Sequence, residues 1–249
     1  MDSLRVKVLI SGLLAAAGLL VAATLDTPGL SVGAITAVLQ LLFAYSWPTL
    51  TRSAQPWPLR IILALAGLLA TFFAVGMLGP VGMGASMLVI AVGVPLVFMS
   101  QVFRGTVASG RLSNTVSGIS GLAVVSQGAG LSALGASPSG FGIILVSVIA
   151  LLGAGACAMT RLPDRDVIFL APLTGAALGA ASSALPLGLA WYHCLLIGAL
   201  AGVLVGCLRA ITLASRAVKR VEDMLAVSTL ILLLTGSLSW YAMQVLGQV

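Results

Sequence analysis

The residues of this chain able to do chemistry are few and fall in small groups. Two carboxylate pairs, Asp164 with Asp166 and Glu222 with Asp223, have the spacing that could hold Mg²⁺ against a phosphorylated substrate. Each pair has basic neighbours, Arg161 and Arg165 for the first, Lys219 and Arg220 for the second. Solvated loop ion pairs are therefore the simpler expectation, with no metal and no catalytic residue. The single histidine, His193, follows Trp191 and Tyr192 and has no Cys, Asp or Glu three or four residues further on. A zinc site or a Ser-His-Asp triad lacks its partners there, so His193 reads as an interfacial residue. Of the cysteines Cys157, Cys194 and Cys207, the last two are 13 residues apart on one expected helix, too far for a bridge.

These groups sit in an apolar chain. Of 249 residues, 12 are Lys or Arg and 6 are Asp or Glu; 60% are hydrophobic, and mean hydropathy is +1.18. A soluble domain is about 25% charged, and 7% here excludes a water-soluble fold. The expected class is all-α, a polytopic helical membrane protein forming one domain over 1–249. Apolar runs separated by Pro, Gly and charge predict nine spans, at about 6–25, 30–47, 60–79, 83–103, 115–135, 141–160, 167–185, 189–209 and 224–246. The fifth is the most polar.

The cations support the count of nine. With a cytoplasmic N-terminus, Arg5 and Lys7, Arg52 and Arg60, Arg104 and Arg111, Arg161 and Arg165, and Arg209, Arg216, Lys219 and Arg220 all fall inside. The opposite loops hold no Lys or Arg, which places the C-terminus outside. Trp47 closes the second span inside; Trp191 and Tyr192 open the eighth outside. The first span, with its basic start and Val21-Ala22-Ala23, reads as an uncleaved helix rather than a removed leader. The net charge of +6 gathers at a face where anionic headgroups attract it, so it requires no nucleic-acid partner.

No span carries a charge in its interior, which argues against a proton-coupled pump. Polar and small residues organise the spans instead. Gly198, Gly202 and Gly206 in span eight lie four apart on one face, and Gly175 and Gly179 stand in span seven; this spacing lets helices, or a second copy or partner, approach closely. Span five carries Ser113, Ser117, Ser120 and Gln127 beside Gly118, Gly121 and Gly128. With Gln40 of span two as a polar partner, Ser117, Ser120 and Gln127 are candidates to line a cavity, near kinks at Pro95 and Pro172. Before span five, Arg104 and Arg111 flank glycines and hydroxyls without the spacing of a nucleotide-binding loop, and Ser113 or Asn114 is expected to cap the helix. From Ile211 to Leu225 apolar residues recur at three and four, the pattern of an amphipathic surface helix or of a continuation of span eight. Arg104, Arg111, Arg216, Lys219 and Arg220 are candidates to hold an anionic lipid headgroup.

The stretch Leu-Gln-Leu-Leu-Phe-Ala-Tyr-Ser-Trp47-Pro48-Thr-Leu, with Phe-Met-Ser-Gln-Val-Phe-Arg104 and Gly110-Arg111-Leu, resembles a group of polytopic integral membrane proteins of actinobacteria. The resemblance covers about half of the chain and implies no activity. The length, the helix count and Ala217-Val218-Lys219-Arg220 before the last span are similar to phosphatidate cytidylyltransferases. That family's acidic and His-Gly-Gly residues have no counterpart after Arg220, so this resemblance implies a degenerate, inactive member. The expected function is a non-enzymatic plasma-membrane protein, without cofactor, that binds a lipid or membrane partner in envelope biogenesis. A permease for a neutral or lipidic substrate, and an enzyme acting on a lipid phosphate, are the alternatives.

Overall fold

In hydrocarbon every backbone N–H and C=O must be bonded within the protein, and a chain this apolar resolves the demand with helices. The computed structural model describes residues 2–25, 27–53, 56–76, 83–103, 110–160, 162–215 and 220–247, of which 2–11, 13, 85, 164 and 211–215 by backbone alone. In chain order the helices are α1 (Asp2–Ala23), α2 (Pro28–Leu50), α3 (Pro56–Ala74), α4 (Gly84–Val102), α5 (Arg111–Gln127), α6 (Ala129–Ala136), α7 (Gly140–Met159), α8 (Asp164–Ser182), α9 (Trp191–Ser215) and α10 (Val221–Val245). Among the described residues there is no strand. Among the described residues six helical segments are long and apolar enough to cross a membrane: α2, α3, α5 with α6, α7, Trp191–Ala210 of α9, and α10.

The core is built around α2, which packs on α1, α3, α6 and α10. Phe43 and Leu63 are fully buried there with Leu122, Leu134, Ile143 and Leu233. α4 lies at one margin against α3 and α5; α8 lies at another against α7 and α9. Both margins present large apolar side chains outward, among them Met87, Val92 and Phe98 on α4 and Phe169 and Leu173 on α8.

Local detail differs from the expected runs at four places. The fifth run is not one continuous helix: it breaks at Gly128, whose N–H turns to the Val125 carbonyl while Leu131 and Ser132 donate to the Gly128 carbonyl. The second run does not close at Trp47: α2 continues through Pro48 to Leu50 and closes with Ser53 N–H on the Pro48 carbonyl (2.9 Å) and Arg52 N–H on that of Thr49 (3.1 Å). Neither Ser113 nor Asn114 caps α5; Gly110 stands at the cap with φ +80°, a left-handed backbone that glycine adopts at no steric cost. The stretch from Ile211 to Leu225 begins as the continuation of span eight, one of its two expected forms, but does not run as one helix to Leu225. α9 extends to Ser215, 216–219 lie outside the described residues, and Arg220 is extended (φ −106°, ψ 162°) immediately before α10.

Candidate functional site

The polar residues of span five meet side chains of α2 and α3. Gln40 is fully buried; its Nε2 donates to the Val125 carbonyl (3.0 Å) and its Oε1 accepts from Thr71 Oγ1 (2.6 Å). The break at Gly128 turns the Val125 carbonyl out of the regular ladder, and Gln40 supplies an added donor. The amide fits because Gly67 and Gly128 have no side chain: a Cβ on either would come within 2.9 Å of Gln40 heavy atoms. Nearer the N-terminus of α5, Trp47 Nε1 donates to the Ser117 carbonyl (2.9 Å), Thr51 Oγ1 and Ser117 Oγ lie 2.5 Å apart, and Ser120 donates back to Ser117 (3.1 Å). A Cβ on Gly121 would meet the Trp47 ring at 2.6 Å, so glycine there allows the indole to lie on the helix backbone. Ser53 Oγ donates to Asn114 Oδ1 (3.1 Å). Ser117, Ser120 and Gln40 are thus brought into two hydrogen-bonded knots that close α5 onto α2 and α3. Gln127 is half-buried beside the break.

The glycines of spans seven and eight face one another within the chain. A Cβ on Gly175 would run into the Gly198 carbonyl oxygen and lie 3.2 Å from Gly202 Cα; one on Gly179 would lie 3.0 Å from Gly198 Cα. Gly202 sits under Ala171 and Pro172, and Gly206 is looser, 3.4 Å from Ile168 Cα. These contacts are backbone on backbone, the closest approach two helices can make.

Of the basic candidates, Arg111 is half-buried with its Nε unpartnered, and Arg220 is exposed. Arg104, Arg216 and Lys219 lie outside the described residues, as does Arg161. Two arginines not assigned a role above are tied in. Arg209 reaches from α9 to the Ala158 carbonyl and to that of Leu162 (2.9 Å), satisfying groups at the α7 C-terminus. Arg60 donates Nε to the Tyr45 carbonyl (3.0 Å) and Nη2 to Thr49 Oγ1 (3.3 Å), with its guanidinium carbon 4.2 Å from the Tyr45 ring centroid.

The carboxylates behave differently from one another. Arg165 Nε and Asp166 Oδ1 form an exposed ion pair at 3.4 Å, a contact contributing about 0–1 kcal/mol. Asp223, expected in a solvated pair, is instead buried, and its Oδ2 accepts the Arg220 backbone N–H (2.8 Å) at the start of α10. The helix end needs an acceptor there, and this overrides the pairing that the sequence neighbours imply. His193, in the first turn of α9 beside Trp191 and Tyr192, is enclosed by protein: it is 4% exposed, its Nδ1 has no partner, and its ring lies 4.3 Å from that of Tyr192.

Sequence reasoning missed the polar face of α10, where Ser228, Thr235 and Ser239 are buried and Ser239 Oγ lies 2.9 Å from Ser147 Oγ of α7. Their spacing of seven and four was the available signal. Among the described residues no three His, Cys, Asp or Glu gather where they could hold a metal ion. The arrangement is that of a membrane-embedded helical protein with internally bonded polar seams and arginines at helix ends. Compared with protein-family models, curated proteins and solved structures, the chain matches none, so its site rests on its own residues.

Proposed function

We propose that this chain is a non-enzymatic protein of the bacterial inner membrane. It crosses nine times, with its N-terminus cytoplasmic, and binds a lipid or membrane-protein partner in envelope biogenesis. The observation carrying this reading is that Ser117, Ser120 and Gln40 spend their hydrogen-bonding capacity on Thr51, Thr71 and the α5 backbone. A seam bonded in this way closes a bundle. Asp223 and Asp166, occupied by a helix cap and an ion pair, support the non-enzymatic reading over a lipid-phosphate enzyme. The basic helix ends, including Arg111 and Arg220, are then the groups that meet anionic lipid. The test is purification in mild detergent followed by native mass spectrometry: a bound anionic lipid or a stoichiometric partner is expected, and a bare chain overturns the reading.

One observation favours a permease as the second reading. The break at Gly128 lies inside the bundle, and Ser132 one turn beyond it is fully buried with an unpartnered hydroxyl. Discontinuous helices of this kind form substrate sites in transporters. Reconstituted vesicles that move neutral solutes or lipids only with the wild-type chain, and not with Ser132→Ala, would establish it.

A further inference from the structure

We infer that the interface between α2 and α6 holds one buried water molecule, bound by Ser132, Thr36 and Gln40. The inference rests on neither functional reading above. Among the described residues every other buried serine or threonine is hydrogen-bonded, most of them to a carbonyl one turn back in the same helix, whereas the fully enclosed Ser132 Oγ has no partner in the protein. At this depth neither solvent nor a lipid headgroup reaches the hydroxyl, and leaving it stranded is costly.

The register of α6 on α2 sets what Ser132 faces. A Cβ on Gly128 would run into Gln40 Nε2, one on Gly135 would lie 2.6 Å from Val32 Cβ, and one on Gly29 would lie 3.5 Å from Ala136 Cβ. α6 therefore runs antiparallel along α2, with Gly128 beside Gln40 and Gly135 beside Val32. Ser132 stands four residues after Gly128 and three before Gly135, so it shares their face. Thr36 stands four residues from Gln40 and four from Val32, and shares theirs. The two hydroxyl side chains thus oppose one another one turn from the Gln40 amide, and all three residues are fully buried.

The donors and acceptors gathered there call for a molecule that both accepts and donates. Thr36 Oγ1 donates to the Val32 carbonyl (2.8 Å), so toward Ser132 it can only accept. Gln40 Oε1 accepts from Thr71 Oγ1 (2.6 Å) and keeps a second lone pair. The Ser132 hydroxyl has a proton to give and is bonded to neither. A water accepts from Ser132 and donates its two hydrogens to Thr36 Oγ1 and Gln40 Oε1, which makes three bonds, the usual number for an enclosed water. A cation fits the place less well: no Asp or Glu stands in α2, α3, α5 or α6, and the Gln40 Nε2 donor lies in the same region.

The test uses the full chain in lipid nanodiscs. An experimental structure at a resolution that shows ordered waters should carry a peak about 2.7–3.0 Å from both Ser132 Oγ and Thr36 Oγ1. No peak there, or a Ser132 hydroxyl turned onto the Gly128 carbonyl, overturns the site. Thermal unfolding separates the cases by sign. With water bound, Ser132→Ala breaks a hydrogen bond and should lower the melting temperature by about 2–4 °C. A stranded hydroxyl predicts the reverse, because alanine then removes a buried unpaired group; a rise in melting temperature overturns the proposal. Thr36→Val should lower it similarly, and the double variant should lose no more than the larger single loss, since both residues act on one molecule. Single losses that add in full overturn the bridge. A wild type that melts higher in sodium chloride than in choline chloride of equal concentration, with the difference lost in Ser132→Ala, overturns water in favour of a cation.

Discussion

Alanine at Gly202 adds one methyl group where α8 and α9 pass with nothing but backbone between them. The new carbon would lie 2.6 Å from Pro172 Cα and closer still to the Ala171 carbonyl oxygen. Ordinary contact begins at 3.4 Å, so the helices must part locally by about 3.4 − 2.6 = 0.8 Å. A gap of 0.5–1 Å forfeits a quarter to a half of the dispersion well of each atom pair it separates. Those pairs include the neighbouring contacts of Gly175, Gly179 and Gly198, and hydrocarbon offers no hydrophobic drive to restore them. Overpacking of this kind costs about 1–3 kcal/mol. Gly206, one turn along the same face, is the control: its nearest neighbour, Ile168 Cα, lies at 3.4 Å, and alanine is favoured over glycine in a helix by about 0.5–1 kcal/mol. In thermal unfolding monitored by intrinsic fluorescence in mild detergent, Gly202→Ala should melt several degrees below the wild type and Gly206→Ala at or above it. Equal melting of the two variants would refute the close approach of α8 and α9.

Gln40→Leu keeps the volume but leaves the Thr71 hydroxyl without its acceptor and the Val125 carbonyl without its side-chain donor; a loss of about 1–2 kcal/mol is expected in the same unfolding assay. Thr71→Val in that background should recover part of the loss by removing the stranded hydroxyl. Asp223→Ala should destabilise α10 by about 1 kcal/mol while Asp223→Asn, which still accepts the Arg220 N–H, is spared; equal losses would mean that the carboxylate acts through charge rather than as a cap. In a background with Cys157, Cys194 and Cys207 replaced, single cysteines at Thr27 and Ser139 should react with an impermeant thiol reagent on intact cells and one at Ser53 should not. Labelling at Ser53 would reverse the proposed orientation.

Helices were legible wherever an apolar run was bounded by Pro, Gly or charge. α7 at Gly140–Met159 and α4 at Gly84–Val102 lie within a residue of the runs 141–160 and 83–103. The break at Gly128 was not, because glycine is common in membrane helices and what matters is a donor arriving from Gln40, 85 residues away in sequence from the carbonyl it reaches. The glycine spacing in span eight could be read as a close-packing face, but only coordinates show that it meets Ala171, Pro172, Gly175 and Gly179 rather than a second copy. The burial of His193 and Asp223 was not legible for one reason: their sequence neighbours are aromatic or basic, whereas their environment is set by which face of α9 turns inward and by the backbone angle at Arg220. Arg60 was counted only as a charge, since its anchors on Tyr45 and Thr49 depend on how α2 and α3 meet.

The segment Arg111–Ala136 is the least hydropathic of the six long spans and the most enclosed by protein, and its α6 half packs on the last helix, with Gly130 against Gly236 and Ser237. During synthesis this segment emerges about a hundred residues before α10 exists. Its α5 polar groups find their partners on α2 and α3, already made, whereas the α6 half lacks its neighbour at Gly130 until then. Closure of the segment therefore divides in time: α5 can bond to α2 and α3 as soon as it is made, and only the α6 face at Gly130 waits for the C-terminal helix. A chain cut short before α10 would keep the α5 bonds to α2 and α3 but leave the backbone face of Gly130 without the Gly236–Ser237 backbone it packs on.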